Sequence, residues 1–83
     1  MTLILDIRDL PTDQRLACVL ARFNALSPGD TLQLVTDRDP QRLRAPLVAD
    51  GRWRATWSAE RQGPQTWIAR IEKLPRAQHD HRV

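Results

Sequence analysis

The sequence of 83 residues has little of several features that define protein classes. It holds one cysteine, Cys18, which excludes an internal disulfide framework and fits a reducing compartment. No stretch approaches the ~18 apolar residues of a membrane span, and the first residues lack the basic and then apolar profile of a signal peptide. A chain this short accommodates one domain. We therefore expect a single cytoplasmic domain with no membrane partner.

Lysine is nearly absent, because all but one of the 13 basic residues are arginine and Lys73 is the exception. The arginine guanidinium is a planar fork that suits carboxylate or phosphate. The net charge is only +3, however, and ten acidic residues are interleaved with the basic ones. The charge balance is therefore weak support for a nucleic-acid partner.

Catalytic and metal-binding motifs are also missing. The chain has no glycine-rich phosphate loop, no serine nucleophile motif and no zinc-ligand spacing. His79 and His81 form a His-x-His pair near the end of the chain, but a structural zinc site needs four ligands. Asp37 and Asp39 precede a predicted helix, where aspartates usually cap the helix. The sequence favours a protein without enzymatic activity, metal or cofactor.

The pattern along the chain predicts six elements. Alternating apolar residues indicate a first strand up to Arg8, and a stripe at helical spacing predicts a helix over 13–26, with Thr12 as its cap. The run 31–36 is a second strand. A second helix follows Asp39 and Pro40, with Asp39 as its cap. It is expected to be short or kinked, because Pro46 would interrupt it.

Two alternating runs, 52–61 and 65–73, surround Gln62-Gly63-Pro64 and predict a β-hairpin. The resulting order is β-α-β-α-β-β, an α+β two-layer sandwich with a mixed four-stranded sheet and both helices on one face. The domain spans residues 1–73, and residues 74–83 form a disordered tail. Trp53, Trp57 and Trp67 share the helix-covered face as the main core anchors.

The helix-free face of the predicted sheet carries the arginines Arg8, Arg54 and Arg70. One interpretation is a solvated face whose charges pair across strands with small energetic effect. The other is a surface that binds an anion, an RNA backbone or the acidic patch of a protein partner. The first is favoured, because each arginine has a carboxylate such as Asp6 or Glu72 within reach, which weakens phosphate binding. The oligomeric state stays open.

Cys18 falls in the middle of the first helix, about 130° around from the centre of the apolar stripe. Arg15 and Arg22 share its flank. Cys18 is either a reactive thiol activated by two guanidinium groups or an incidental small residue. The second interpretation is favoured, because reactive thiols usually lie at helix starts or beside a histidine.

The motifs together resemble two related families. Leu5-Asp6-x-Arg8-x-Leu10, the first helix, Pro28-Gly29-Asp30-Thr31-Leu32 and Asp39-Pro40 resemble the TusA group of small sulfur carriers. With Gln62-Gly63-Pro64 and Trp67 included, the pattern over residues 3–73 is more similar to a bacterial family of unknown function, domain-of-unknown-function family 2249. The resemblance implies the β-α-β-α-β-β topology, which is also similar to the C-terminal domain of bacterial initiation factor three.

The chain differs from both family patterns at the residues that could carry chemistry, the cysteine of the carriers and the histidine of the second family. The carriers open the first helix with Cys-Pro-x-Pro and hold sulfur as a persulfide on that cysteine, whereas this segment reads Thr12-Asp13-Gln14-Arg15. The second family commonly has Asp-His-Asp-Pro after the second strand, and here Arg38 replaces the histidine. The resemblance therefore implies a non-catalytic accessory or protein-interaction domain linked to sulfur or redox metabolism. A weak RNA-binding module that uses the arginine face is the alternative.

Overall fold

A computed structural model describes residues 1–49 and 54–75 of the chain. The elements are β1 (Thr2–Asp6), α1 (Thr12–Ala25), β2 (Thr31–Thr36), α2 (Gln41–Ala49), β3 (Arg54–Gln62) and β4 (Trp67–Leu74). The predicted order β-α-β-α-β-β is confirmed. The predicted tail began at residue 74, but Leu74 is the last residue of β4. Residues 76–83, with His79 and His81, lie outside the described residues, as do Arg52 and Trp53.

The four strands form one mixed sheet in the order β1-β2-β4-β3. β1 runs parallel to β2, and β4 runs antiparallel to both β2 and β3. Val19 and Phe23 of α1 and Leu47 of α2 join Leu34 and Ile71 of the sheet in one buried cluster. Both helices therefore cover the same face of the sheet, as predicted.

The start of α1 differs from the prediction that Thr12 caps it. Thr12 is the first helical residue, the extended Pro11 before it takes the cap position, and no side chain caps the helix. Thr12 therefore lies one residue after the cap position, where its hydroxyl does not accept a hydrogen bond from the free N–H groups of the first turn. Val19 and Phe23 are buried, so the predicted apolar stripe does face the sheet.

The end of α1 is held by the chain's one lysine. The Nζ of Lys73 donates to three backbone carbonyl oxygens, those of Phe23 at 3.1 Å, Asn24 at 3.1 Å and Leu26 at 2.6 Å. Lys73 is fully buried, and burial lowers the pKa of its ammonium, with the charge of Asp30 opposing. This contact joins β4 to the carbonyl groups at the end of α1, of which that of Phe23 also accepts the backbone N–H of Leu26.

The second helix follows its sequence signals. The Oδ1 of Asp39 accepts the backbone N–H of Gln41 at 3.0 Å, which confirms the predicted cap. α2 has nine residues, as expected of a short helix, but Pro46 does not interrupt it, because the helix continues through Pro46 to Ala49.

Two glycines adopt the left-handed conformation at the predicted turns. Gly29 has a φ of 97° and Gly63 has a φ of 69°. At the hairpin, the N–H of Gly63 donates to the carbonyl of Thr66 at 2.9 Å. A Cβ atom at Gly63 would lie 2.8 Å from Cζ2 of Trp67. Only glycine therefore lets the indole of Trp67 approach this turn so closely.

The core differs from the prediction that the tryptophans are its main anchors. The buried apolar residues are aliphatic apart from Phe23. Trp57 is half-buried and packs against this core, whereas the half-buried Trp67 lies against Gly63. β3 is an edge strand and Trp67 begins β4 beside the turn, so neither indole reaches the centre of the helix–sheet interface.

Candidate functional site

The face of the sheet without helices, here called the open face, displays its side chains in rows that cross all four strands. Residues that are paired across strands point to the same face. One row holds Thr2, Thr31, Glu72 and Thr56, the next Ile4, Gln33, Arg70 and Ser58, and the third Asp6, Val35, Ile68 and Arg61. The middle and third rows contain most of the features that a partner could recognise.

Three apolar residues cross the open face. Val35 and Ile68 are paired, and Ile4 lies one row away on the edge strand β1. Ile4 is 66% exposed, which is unusual for a large aliphatic side chain in a strand. We call these three residues the apolar strip. The sequence analysis missed it, because it searched this face for charge.

Glu60 lies at a β-bulge in β3. The register shifts between Ala59 and Arg61, so Glu60 is the extra residue that the bulge leaves without a partner on β4. Its carboxylate accepts the amide of Gln33 at 2.9 Å and lies 4.0 Å from the guanidinium of Arg70. Glu60 therefore spans the open face and offsets part of the charge of Arg70.

Arg8 is paired within its own segment. Its Nε lies 2.9 Å from Oδ1 of Asp6 and its Nη2 lies 2.6 Å from Oδ2. The backbone N–H of Arg8 also donates to Asp6. These hydrogen bonds, the side-chain ones first, lower the pKa of Asp6 from 3.8 to about 2. Both side chains are close to half exposed, so this pair is a surface feature of small energetic weight.

The three arginines named as a candidate binding face do not meet. Arg8 follows β1 at one edge of the sheet, Arg70 is central, and Arg54 begins β3 at the other edge, opposite Leu74. Three strand spacings of ~4.8 Å separate the edges by roughly 14 Å. Along the strands, Arg54 is level with Leu74 of β4, whereas the end of β1 is level with Ile68. These two positions are six residues apart on β4, which corresponds to about 20 Å. No small ligand therefore contacts all three.

Arg15 is the best-anchored arginine in the described part of the chain. Its Nε donates to the carbonyl of Leu10 at 3.0 Å, its Nη1 to Asp37 at 2.8 Å and its Nη2 to the carbonyl of Arg8 at 3.2 Å. The hydrogen bond from Arg15 lowers the pKa of Asp37. Arg15 therefore ties the start of α1 to the chain that leaves both parallel strands.

A cleft of about 190 Å³ lies beside Arg15, where β2 ends and both helices begin. The side chains that matter for its chemistry are Thr12, Arg15, Thr36, Arg38, Asp39 and Arg42. We call it the arginine cleft. In the sequence this segment predicted a helix cap and a histidine replaced by Arg38, although two arginines four residues apart around Pro40 were a visible signal of an anion site.

A second cleft of about 180 Å³ lies between the start of α2 and the hairpin, lined by Pro40, Trp57 and Trp67. Trp57 pairs with Ile71 and Trp67 with Thr36, residues of the helix-covered face. The open face therefore offers neither indole as a stacking surface for nucleic-acid bases.

Cys18 is half-buried on α1. Of the two guanidinium groups expected beside it, that of Arg15 is bonded to Asp37 and to two carbonyl groups. In the described residues no hydrogen bond joins Cys18 to Arg15 or Arg22. A reactive Cys18 thiol therefore stays an untested prediction, and the sequence favours the other interpretation, an incidental small residue.

Searches of the described residues for two further kinds of site found none. No three His, Cys, Asp or Glu residues within 1–49 and 54–75 are grouped so that they could hold a metal ion. Within the same ranges no helix is long and apolar enough to cross a membrane.

Comparison with known proteins gives one match. The family model of an uncharacterised conserved protein, DUF2249, matches residues 4–73. No curated protein and no solved structure matches the chain. The match covers α1, β2, α2 and β3 completely and most of β1 and β4, and it brings no reaction, ligand or partner with it.

Proposed function

The chain belongs to the DUF2249 family of uncharacterised conserved proteins, and from that premise we propose that it is a cytoplasmic, non-catalytic accessory domain that binds a protein partner through its open face. The link to sulfur or redox metabolism rests on the resemblance of its motifs to the TusA group of carriers. The observation that carries the proposal is the apolar strip, Ile4, Val35 and Ile68, set among paired charges.

The composition of the open face fits a protein surface. Ile4 is exposed on an edge strand, and Val35 and Ile68 extend the apolar area toward the centre of the sheet. Interfaces between proteins combine apolar anchors of this kind with a polar surround. Here the surround offers both signs of charge, through Asp6 with Arg8 and Glu60 with Arg70. The matching partner surface has an exposed aliphatic or aromatic side chain flanked by an acidic and a basic residue.

The same charges argue against RNA as the principal partner. RNA affinity depends on basic groups that neutralise phosphates. Arg8 already holds Asp6, and Arg70 faces Glu60, whose carboxylate extends across the sheet to Gln33. A phosphate backbone on this face would meet carboxylates beside two of the three arginines.

The start of α1 supports the non-catalytic part of the proposal. Thr12 and Asp13 occupy the first turn of the helix, where the carrier proteins have their cysteine. A hydroxyl group holds no persulfide, and the carboxylate of Asp13 repels an anionic sulfur. After incubation with a cysteine desulfurase and cysteine, the intact mass of the chain is expected to stay unchanged. A gain of one sulfur atom on Cys18 would contradict a non-catalytic role.

The direct test is affinity capture from a native lysate with the wild-type chain and two variants, each divided into RNase-treated and untreated halves. Ile4→Lys places a charge in the apolar strip. Ala21→Lys makes the same change in charge at an exposed position of α1, on the opposite side of the domain. We expect a defined protein partner that resists RNase, is lost with Ile4→Lys and is retained with Ala21→Lys.

Two results would overturn the proposal. Capture that disappears with RNase, falls with salt and weakens in Arg54→Ala and Arg70→Ala would assign the open face to RNA. Equal capture by Ile4→Lys and the wild-type chain would show that the apolar strip is not the docking surface.

A further inference from the structure

We propose that the arginine cleft binds a tetrahedral oxyanion group such as phosphate or sulfate, independently of any partner on the open face. The cleft lies on the side of the molecule where β2 ends and where α1 and α2 begin.

Both carboxylates at the cleft have partners. Asp37 accepts the guanidinium of Arg15 at 2.8 Å, and Asp39 accepts the backbone N–H of Gln41 as the cap of α2. Arg15 is in turn held by Asp37 and by the carbonyl groups of Leu10 and Arg8. These hydrogen bonds hold the side chain of Arg15 in place beside the cleft, and the carboxylate of Asp37 offsets its positive charge.

Arg38 and Arg42 are different. Both are exposed and line the cleft, and within the described residues neither guanidinium has a carboxylate at ion-pair distance. One belongs to the loop after β2 and the other to the first turn of α2, so they approach the cleft from different segments. Two arginines that line one cleft, beside the apolar Pro40 and Leu43, can supply the donors that an oxyanion with two charges requires.

Neutral donors complete the surroundings. Thr12 and Thr36 are among the residues that line the cleft, and the hydroxyl of Thr36 accepts a long hydrogen bond of 3.5 Å from the backbone N–H of Arg38. α1 starts at Thr12 without a side-chain cap, so the positive end of its helix dipole lies at this side of the cleft, although the N–H of Gln14 is already bonded to the carbonyl of Pro11. Asp13, which follows Thr12, is not among the lining residues.

The size of the cleft restricts the ligand. A cleft of about 190 Å³ is smaller than the ~300–1,000 Å³ of pockets that enclose a drug-sized molecule. It therefore accommodates a free oxyanion or the anionic group of a larger ligand. A planar carboxylate group has fewer oxygen atoms than phosphate or sulfate with which to accept hydrogen bonds from Arg38 and Arg42, which lie on different segments. A monocarboxylate is therefore expected to bind more weakly.

The test is a titration of the ¹⁵N-labelled full chain with inorganic phosphate, sulfate and acetate, each at constant ionic strength maintained with sodium chloride. We expect saturable shifts for phosphate or sulfate at the amides of Thr12, Thr36 and Arg38, and at least tenfold weaker binding of acetate. The double variant Arg38→Gln/Arg42→Gln is expected to lower the affinity at least tenfold. The control Arg22→Gln/Arg44→Gln removes the same charge from exposed helix positions outside the cleft and is expected to change the affinity less than twofold.

Shifts that do not saturate, or that spread over the whole chain, would overturn the proposal by indicating an adventitious ion only. An equal loss of affinity in the control double variant would also overturn it, because the effect would then come from net charge. Neither result depends on the capture experiment for the open face, so the two proposals fail separately.

Discussion

The Nζ atom of Lys73 in β4 lies 2.6 Å from the carbonyl oxygen of Leu26, at the end of α1, in the buried interior. The same ammonium also binds the carbonyl groups of Phe23 and Asn24. One side chain of the sheet thus satisfies three backbone acceptors of the helix that covers it. The orientation of α1 on the sheet depends on this contact.

Lys73→Met is expected to lower the free energy of unfolding by about 2–3 kcal/mol, because the carbonyl groups of Asn24 and Leu26 lose this donor. Urea denaturation at neutral pH measures the change. The control is Arg70→Met, which makes a similar substitution on the exposed face of the same strand and is expected to cost at most about 0.5 kcal/mol. Equal losses in the two variants would contradict the role assigned to Lys73.

Gly63→Ala is expected to destabilise the hairpin more than Gly29→Ala does. Both positions have positive φ, which costs a non-glycine residue about 1 kcal/mol or more. A Cβ atom at Gly63 would also meet the indole of Trp67 at 2.8 Å, whereas nothing lies within 4 Å of a Cβ at Gly29. Thermal unfolding ranks the two variants, and a change in tryptophan emission is expected for Gly63→Ala alone. The reverse ranking would contradict the contact.

The Asp6–Arg8 pair predicts a specific response to acid. The pKa of Asp6 is about 2 in the folded chain, below the ordinary 3.8, so the pair contributes fully above pH 3.8 and is lost as the pH falls toward 2. Titration of the Asp6 carboxyl carbon by NMR measures this pKa. Arg8→Gln is expected to raise it toward 3.8, and Arg22→Gln, on α1, is expected to leave it unchanged. A midpoint near 3.8 in the wild-type chain would contradict the bidentate pair.

Arg15→Met is expected to lower stability by about 1–3 kcal/mol, because the carbonyl groups of Leu10 and Arg8 lose their donor. It is also expected to raise the pKa of Asp37, which the hydrogen bond from Arg15 lowers. Urea denaturation and carboxyl titration check the two effects. Arg22→Met, at an exposed position of the same helix, serves as the control. A stability loss with no change at Asp37 would show that the side-chain bond between Arg15 and Asp37 does not form in solution.

The fold could be predicted from the sequence because its signals are local and agree with one another. The apolar stripe around Val19 and Phe23 indicates α1, Gly29 and Gly63 mark turns that need positive φ, and Asp39 marks the start of α2. Each of these signals involves neighbours in sequence. The family match over residues 4–73 covers the same elements.

The candidate sites were harder to predict, because their contacts join distant parts of the chain. Arg15 and Asp37 are 22 residues apart, and the bulge that leaves Glu60 without a strand partner lies within a run that alternates without interruption. Lys73 did carry a signal, since the alternation that buries Ala69 and Ile71 places the single lysine on the same side of β4. The exposure of Ile4 followed from the strand order, because β1 lies at the edge of the sheet.

The central claim, that a protein docks on the open face, is tested most directly by site-specific photocrosslinking in cells. A photoreactive amino acid replaces Ile4 in one variant and Ala21, on the helix-covered side, in the other. The account predicts a discrete, RNase-resistant protein adduct at position 4 and none at position 21. No protein adduct at position 4, or adducts of equal yield at both positions, would contradict it.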